Sequence, residues 1–174
     1  QKMYLSISRW RYRARPRLSY PLVQNGSLMT SIEFQSCDVS VAQVGCMDGS
    51  IRMHTVSRER PVAEWSGSTA GEPVLSVQWA QTRPTVFCVL DAASNLHIWD
   101  LMKNEAQPVI TERMSDDRVT AVSVFGDSGQ QNIYSGIALA HESGKIKLLY
   151  FTKGLTKPCS GEAEQLDSLI NNAI

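Results

Sequence analysis

The sequence predicts an all-β fold built from repeated antiparallel sheets. The strand-like segment Ser31–Phe34 recurs 45 positions later as Ser76–Trp79, and Ser50–His54 recurs at the same spacing as Asn95–Trp99. A third copy begins at Ala121–Val124, again 45 positions further on. Each copy contains short runs rich in Val, Ile, Phe and Trp that are separated by turns, and no long helical pattern lies between them. Four strands at a period of about 45 residues are typical of a β-propeller blade.

Residues 1–28 differ from the repeats and are expected to be a basic segment without regular structure. The 174 residues contain 17 Lys and Arg and 17 Asp and Glu, but the first 32 have no acidic residue. Their basic side chains are Lys2, Arg9, Arg11, Arg13, Arg15 and Arg17. Arginines interleaved with aromatic residues can contact nucleic acid, but Pro16 and Pro21 disfavour a regular strand. We therefore favour a basic linker over a nucleic-acid-binding strand.

The first blade is expected over residues 29–66 and the second over residues 72–114. The Asp48-Gly49-Ser50 turn suits a tight antiparallel connection, so we expect Asp48 to organise it. Phe34 and Asp100 are also predicted to be structural. Trp79 and Trp99 are large enough to fill the space between blades, at about 1.5–3 kcal/mol or more each. Predicted strands of the second blade are Val74–Trp79, Thr85–Leu90, Asn95–Leu101 and Pro108–Glu112.

The third blade is expected over residues 118–156 and to be incomplete. A polar insertion at Gly126–Asn132 accounts for its longer spacing, and no convincing fourth strand follows Phe151. A short amphipathic helix is predicted over residues 160–174, with Ser160 as its N-cap. Its apolar side is formed by Leu166, Leu169, Ile170 and Ile174. The sequence therefore predicts about three blades of an unclosed ring, followed by a helix that must pack on something.

The stretch from Val77 to Leu101 resembles a blade of the WD-repeat dynein intermediate chains, and it ends its third strand with Trp99-Asp100. The pattern of that family runs W-S-P-x-x-P-x-x-F-x-x-x-D-x-x-G-x-L-x-L-W-[ND]-L. Ala80-Gln81 and Ser94 depart from it. Its matches here are Trp79, Pro84, Phe87, Asp91, Leu96, Ile98, Trp99, Asp100 and Leu101. Residues 45–54 resemble in particular the intermediate chain of cytoplasmic dynein-2, the retrograde motor of cilia.

This resemblance implies a WD40-type propeller that acts as a non-catalytic scaffold in a dynein complex. The propeller would bind the tail of the dynein heavy chain for retrograde intraflagellar transport, in the cytoplasm, the cytoskeleton and the cilium. Light chains and a second intermediate chain would bind regions outside this sequence, which begins with Gln1 and is expected to be part of a longer protein. The alternative is a WD-repeat adaptor of an unrelated ubiquitin-ligase or chromatin complex. Predicted contact residues, at loops or strand ends, are Arg83, Asp91, Asn95, Glu142 and Lys145.

Full WD blades often connect a turn Asp, a His, a Ser or Thr and a Trp by hydrogen bonds. No Gly-His dipeptide precedes the first strands here, and His54 stands at the position that Trp99 occupies in the next copy. Asp91, like Asp48, is expected to organise only its own turn. We therefore expect apolar stacking, more than buried polar networks, to hold these blades.

Signals of catalysis, metal binding or membrane insertion are weak. The sequence Gly126–Gly129 matches the nucleophile loop of trypsin-like proteases, but His54 and His97 occupy repeat-strand positions and cannot be identified as its base. Ser143–Ile146 lacks the glycine and the Ser or Thr of a phosphate loop. The histidines lack metal-ligand spacing, the four cysteines form no C-x-x-C pair, and no apolar run reaches 18 residues. We therefore expect no enzyme activity, no cofactor or metal, no membrane partner and reduced thiols.

Overall fold

A computed structural model describes residues 23–24, 27–35, 41–58, 60–114, 117–126 and 134–171. These residues form three antiparallel sheets and two helices. The strands are β1 (Val23–Gln24), β2 (Ser27–Phe34), β3 (Val41–Cys46), β4 (Ile51–Thr55), β5 (Ala63–Trp65), β6 (Val74–Trp79), β7 (Val86–Asp91), β8 (Asn95–Asp100), β9 (Ile110–Arg113), β10 (Val119–Phe125), β11 (Gly136–His141) and β12 (Ile146–Tyr150); the helices are α1 (Lys153–Thr156) and α2 (Glu162–Asn171).

Each sheet corresponds to one predicted blade. Blade 1 has the strand order β1-β2-β3-β4-β5, blade 2 has β6-β7-β8-β9, and blade 3 has β10-β11-β12. Every pairing between neighbouring strands is antiparallel. The predicted all-β architecture of about three WD40-type blades in an unclosed ring is confirmed.

The first sheet begins earlier in the chain than the sequence predicts. Val23 pairs with Leu28 and Gln24 with Ser27, so a short hairpin occupies part of the expected unstructured segment. Residues 1–22 and 25–26, which include the arginine-rich stretch, lie outside the described residues.

In β2 the side chain of Phe34, predicted to be structural, is 37 % exposed rather than buried. Successive side chains of a strand point to opposite faces, and Phe34 lies on the more exposed face of β2.

Neighbouring blades pack face to face through two apolar cores. The core between blades 1 and 2 contains Trp65, Trp79, Phe87 and Trp99, and the core between blades 2 and 3 contains residues such as Ile98 and Ile137. Close approach at the first interface requires a glycine, since a Cβ added at Gly45 would lie 2.3 Å from Val74 Cγ1. These interfaces confer a fixed position on each blade, because close-packed interiors tolerate little displacement.

Both helices pack on these cores at one end of the array. Leu155 of α1 contributes to the core between blades 2 and 3, and Leu166 of α2 contributes to the core between blades 1 and 2, with Leu169 and Ile170 packed against it. The sequence predicts α2 and its apolar side, whereas α1 has no predicted counterpart. Ile174 lies outside the described residues. None of the helices in the described part of the chain is long and apolar enough to cross a membrane.

The ends of the strands define two ends of the array. Strand β8 begins after the turn at residues 91–94 and finishes at Asp100, so these positions lie at opposite ends of blade 2. The corresponding turns of blades 1 and 3 are at residues 47–50 and 142–145. We call the end that carries these three turns the turn end, and the opposite end, where α1 and α2 lie, the helix end.

Candidate interaction surface and its buried supports

The turn end presents the exposed charged residues that the sequence predicts as contacts. Glu142 and Lys145 are both exposed in the turn between β11 and β12, and Asn95 is partly buried at the start of β8. In blade 1, Asp48 accepts hydrogen bonds from Ser50 N at 2.9 Å and Ser50 Oγ at 2.6 Å, and these bonds fix the turn. The turns therefore hold polar groups at fixed positions on a rigid support.

The turn of blade 3 is fixed by a carboxylate from the connection between blades. Asp117 Oδ2 accepts a 2.6 Å hydrogen bond from Ser143 Oγ, and Asp117 Oδ1 accepts a 3.2 Å bond from Ser143 N. His141 Nδ1 donates to the Asp117 carbonyl oxygen at 2.9 Å. The hydrogen bond from the Ser143 hydroxyl lowers the pKa of the Asp117 carboxyl below its ordinary value of 3.8. The pairing of Asp117 with Ser143 is not predictable from the local sequence, because the bond joins residues 26 positions apart.

Replacing Ser143 with alanine should raise the pKa of Asp117 toward its ordinary value, because the hydroxyl that favours the charged form is removed. A depressed pKa contributes stability that is present above the unfolded-state value and is lost as the pH falls through the folded-state value. The two proteins should therefore differ in stability above about pH 4 and converge in stronger acid. NMR titration of the Asp117 side chain measures the shift. Ser143→Thr, which keeps the hydroxyl, is the control, and an unchanged pKa in Ser143→Ala would contradict the prediction.

Asp91 is buried and supports the turn of blade 2 from inside. Its side chain is fully buried and accepts hydrogen bonds from Asn95 N at 2.8 Å and Asn95 Nδ2 at 2.9 Å. His97 Nε2 lies 3.0 Å from Asp91 Oδ2, and His97 Nδ1 lies 3.0 Å from Thr111 Oγ1. Because a carboxylate only accepts, Nε2 carries the hydrogen and donates it to Asp91.

This chain of hydrogen bonds bears on two expectations. Asp91 cannot be a surface contact residue, since its carboxylate is enclosed by this protein's own donors. A buried polar network also exists in blade 2, although apolar stacking was expected to contribute more than such networks. The sequence did not reveal it because a histidine was expected before the first strand. Here His97, in the third strand, contacts Asp91 of the second strand and Thr111 of the fourth. Stacking is nevertheless present: Phe87 and Trp99 lie parallel, with centroids 5.4 Å apart.

Arg83 is also buried and connects blade 2 to the helix end. Its Nη1 and Nη2 donate to the two oxygens of Asp100 at 2.9 and 3.2 Å, and Nε donates to Glu162 Oε1 at 2.5 Å. Nη1 also donates to the Gly154 carbonyl oxygen at 2.7 Å. Burial alone would lower the pKa of the guanidinium, but hydrogen bonds from it to Asp100 and Glu162 outweigh that effect and raise its pKa. The prediction of Arg83 as a surface contact is therefore replaced by a structural role.

Glu162 shows how the start of α2 depends on this network. One oxygen, Oε1, accepts both from Arg83 and from Cys159 N at 3.1 Å. The Glu162 carboxylate therefore accepts a backbone hydrogen bond just before α2, next to Ser160, which the sequence predicts as the N-cap. Trp65 Nε1 donates to the Glu105 carbonyl oxygen at 2.5 Å, and Gln165 of α2 bonds the side chain of Glu105. The helix end is consequently joined to both blades 1 and 2.

Histidine, cysteine and acidic side chains are the groups that could support metal binding or catalysis. No group of three His, Cys, Asp or Glu side chains within the described ranges could hold a metal ion. Residues 127–129 of the protease-like motif lie outside those ranges. Cys46 and Cys88 are buried free thiols, whose pKa burial raises, and Cys159 is an exposed free thiol.

Comparison with known proteins supplies the family. The chain is 36 % identical over 140 residues to mouse cytoplasmic dynein 2 intermediate chain 1 and 33 % identical over 144 residues to the human protein. These alignments cover 80 % and 82 % of the chain. The chain belongs to the WD-repeat dynein intermediate chain family. It spans only 14 % of the length of either relative. Mouse cytoplasmic dynein 2 intermediate chain 2 is 21 % identical over 70 % of the chain and is covered over 22 % of its length.

Solved structures agree with the propeller fold of this dynein intermediate chain segment. Chaetomium thermophilum Raptor superposes with a TM-score of 0.61 at 19 % identity, over 77 % of this chain and 12 % of that one. The WD40 domain of Toxoplasma gondii coronin gives 0.60 at 13 % identity, over 77 % of this chain and 33 % of that one. At these identities the likeness concerns the fold alone. No family model matches the sequence.

Proposed function

We propose that this chain forms blades of a non-catalytic scaffold subunit of a dynein-2 complex, and that its propeller binds the dynein heavy-chain tail. Family membership is the observation that carries the proposal, since the chain is 36 % identical to a protein named as a dynein 2 intermediate chain. The proposed location is the cytoplasm, the cytoskeleton and the cilium, with a role in retrograde intraflagellar transport. Light chains and a second intermediate chain would bind regions of the whole protein outside these residues.

The turn end is the proposed contact surface. Glu142 and Lys145 are exposed there and Asn95 is partly exposed. The buried Asp91 fixes the turn of blade 2, and the solvent-accessible Asp117 fixes the turn of blade 3. Because the blades are close-packed, these side chains are presented without a large ordering cost on binding. Charged groups at such a rim mainly set orientation and the rate of association, so each single contact should contribute modestly.

The experiment is affinity purification of the tagged chain from ciliated cells, with quantitative detection of dynein heavy chain. We expect heavy chain to be recovered, and recovery to fall several-fold when Glu142→Lys and Lys145→Glu are combined. A matched control, Lys153→Glu with Lys157→Glu, reverses two exposed charges of the helix end and should leave recovery unchanged. Recovery of a ubiquitin-ligase or chromatin complex in place of heavy chain, from protein shown by circular dichroism to be folded, would overturn the assignment.

A further inference from the structure

The first strands of neighbouring blades are joined by hydrogen bonds from side chains to backbone groups. Between blades 1 and 2, the hydroxyl oxygen of Ser31 accepts a bond from Val77 N at 3.1 Å. Between blades 2 and 3, Gln78 Oε1 accepts a bond from Val124 N at 2.7 Å. Each of these bonds crosses from one sheet to the next. The side chains of β2 and β6 therefore help to decide how firmly each blade holds the following one.

Glu33 occupies in blade 1 the position that Gln78 occupies in blade 2. The two residues are 45 positions apart, and so are the residues whose backbone they contact, Trp79 and Val124. The Trp79 backbone N–H donates to the Glu33 carboxylate, as the Val124 N–H donates to the Gln78 carboxamide. The same bond between blades is therefore made twice, once by a carboxyl group and once by a neutral amide.

The charge of Glu33 has no counter-charge in the part of the chain that the structure describes. Gln43 lies directly opposite in β3 and is fully buried and neutral. Strands β1, β3 and β6, which all contact β2, contain no charged residue. In β7, the Cys88 thiol is kept protonated because burial raises its pKa, and Asp91 lies at the opposite, turn end. None of the ion pairs among the described residues includes Glu33.

We propose that Glu33 is a pH-sensitive clasp that holds blades 1 and 2 together more tightly when its carboxyl group is protonated than when it is ionised. The protonated group can accept the Trp79 N–H through its carbonyl oxygen, as the Gln78 amide accepts the Val124 N–H. Ionisation strengthens this one bond. It also places a charge without a cationic partner in a half-buried position between two sheets, which is costly.

The direction of the pH dependence follows from which of these effects is larger. Burial raises the pKa of Glu33 above its ordinary value of 4.5, and the bond from the Trp79 backbone offsets this only in part. A carboxyl group whose pKa is raised binds its proton more tightly in the folded than in the unfolded state. Its stabilising contribution is complete below the unfolded-state value and is lost as the pH rises through the folded-state value. The junction should therefore be firmest in mild acid.

The test replaces Glu33 with glutamine in the complete chain, which keeps the acceptor and removes the ionisation. Urea denaturation of both proteins is followed over a series of pH values. At pH 7, Glu33→Gln should lower the equilibrium constant of unfolding by about threefold or more, and the gain should disappear below about pH 4. Glu112→Gln, at an exposed position of β9, is the matched control and should leave the pH dependence of the wild-type protein unchanged.

A second variant transfers the clasp to the next junction. Gln78→Glu should make the protein less stable at pH 7 than at pH 4, relative to the wild type. Hydrogen exchange locates each effect. At pH 7, Glu33→Gln should slow exchange of the Trp79 amide, whereas Gln78→Glu should speed exchange of the Val124 amide.

A stability gain from Glu33→Gln that is equal at pH 4 and pH 7 would overturn the clasp. A Glu33→Gln protein that is no more stable than the wild type at pH 7, or a Trp79 amide whose exchange ignores the change, would also overturn it. These measurements are made on the isolated chain and do not involve the dynein heavy chain. Failure of the clasp and failure of the proposed function are therefore distinguishable.

Discussion

Replacing Arg83 with methionine should lower the free energy of unfolding by about 3–5 kcal/mol, because the buried carboxylate of Glu162 would lose its counter-charge and that of Asp100 would keep only the exposed ammonium of Lys103. Asp100 is fully buried and Glu162 is 3 % exposed, so solvent cannot replace the guanidinium. The bonds from Arg83 to Asp100, Glu162 and the Gly154 carbonyl would all be lost together. Chemical denaturation with urea, followed by circular dichroism, measures the change.

Lys103 supplies the matched control for Arg83, because it contacts the Asp100 carboxylate from the solvent side. Lys103 Nζ lies 3.5 Å from Asp100 Oδ2, but the lysine side chain is 56 % exposed. Lys103→Met should therefore cost less than about 1 kcal/mol. Adding Asp100→Asn and Glu162→Gln to Arg83→Met should recover part of the loss, since no uncompensated charge remains. An Arg83→Met protein as stable as Lys103→Met would show that the buried ion pairs do not hold the helix end.

Replacing Trp99 with alanine should destabilise the protein by about 3–5 kcal/mol, the range measured for truncating large aromatic residues in cores. Trp99 is fully buried between blades 1 and 2. Its ring is stacked on Phe87, with an interplanar angle of 9°, and lies 5.5 Å from Trp65 between centroids. Because that interface also binds α2 through Leu166, the cavity should loosen the helix as well as the blades. Denaturation midpoints and hydrogen exchange of α2 measure the two effects.

Trp99→Phe tests how much of the stability comes from an aromatic ring at this position. The Trp99 indole N–H is buried and has no hydrogen-bond acceptor among the described residues. Phenylalanine should therefore retain more than half of the stability that alanine loses. Tyr150→Ala, at a 59 % exposed position of blade 3, should cost less than about 1 kcal/mol. Similar losses for Trp99→Ala and Tyr150→Ala would contradict a core role for Trp99.

Both predictions concern how rigidly the packed blades hold the turns in position. A scaffold presents its contact groups at fixed positions only if neighbouring blades cannot slide. Arg83 joins blade 2 to α2, and Trp99 fills the interface beneath α2. Both changes therefore weaken the packing of the blades and leave the exposed turns unchanged. Weaker heavy-chain recovery from either variant would therefore indicate that orientation of the blades matters.

The local pattern of the sequence was sufficient for the elements. The period of 45 residues and the alternation of apolar residues predict the strands of blade 2 to within one or two positions at most ends, and the repeat assigns three blades. Helix α2 follows from the spacing of Leu166, Leu169 and Ile170. Such features are readable because strand and helix periods are properties of adjacent residues. Helix α1 was missed because a single turn of four residues has too few positions to show a period.

The sequence by itself determined the blade architecture, the family resemblance and the turn chemistry of Asp48, whereas the tertiary structure decided which polar residues are buried. Arg83 and Asp91 are charged residues of the kind usually found at surfaces. Only the fold shows that Arg83 meets Glu162 from 79 positions away and that Asp91 is enclosed together with His97 of the neighbouring strand. Phe34 is an apolar residue of the kind usually found in cores, but it is partly exposed. The physical reason is that burial depends on what packs against a residue, and a partner distant along the chain leaves no periodic signal near it.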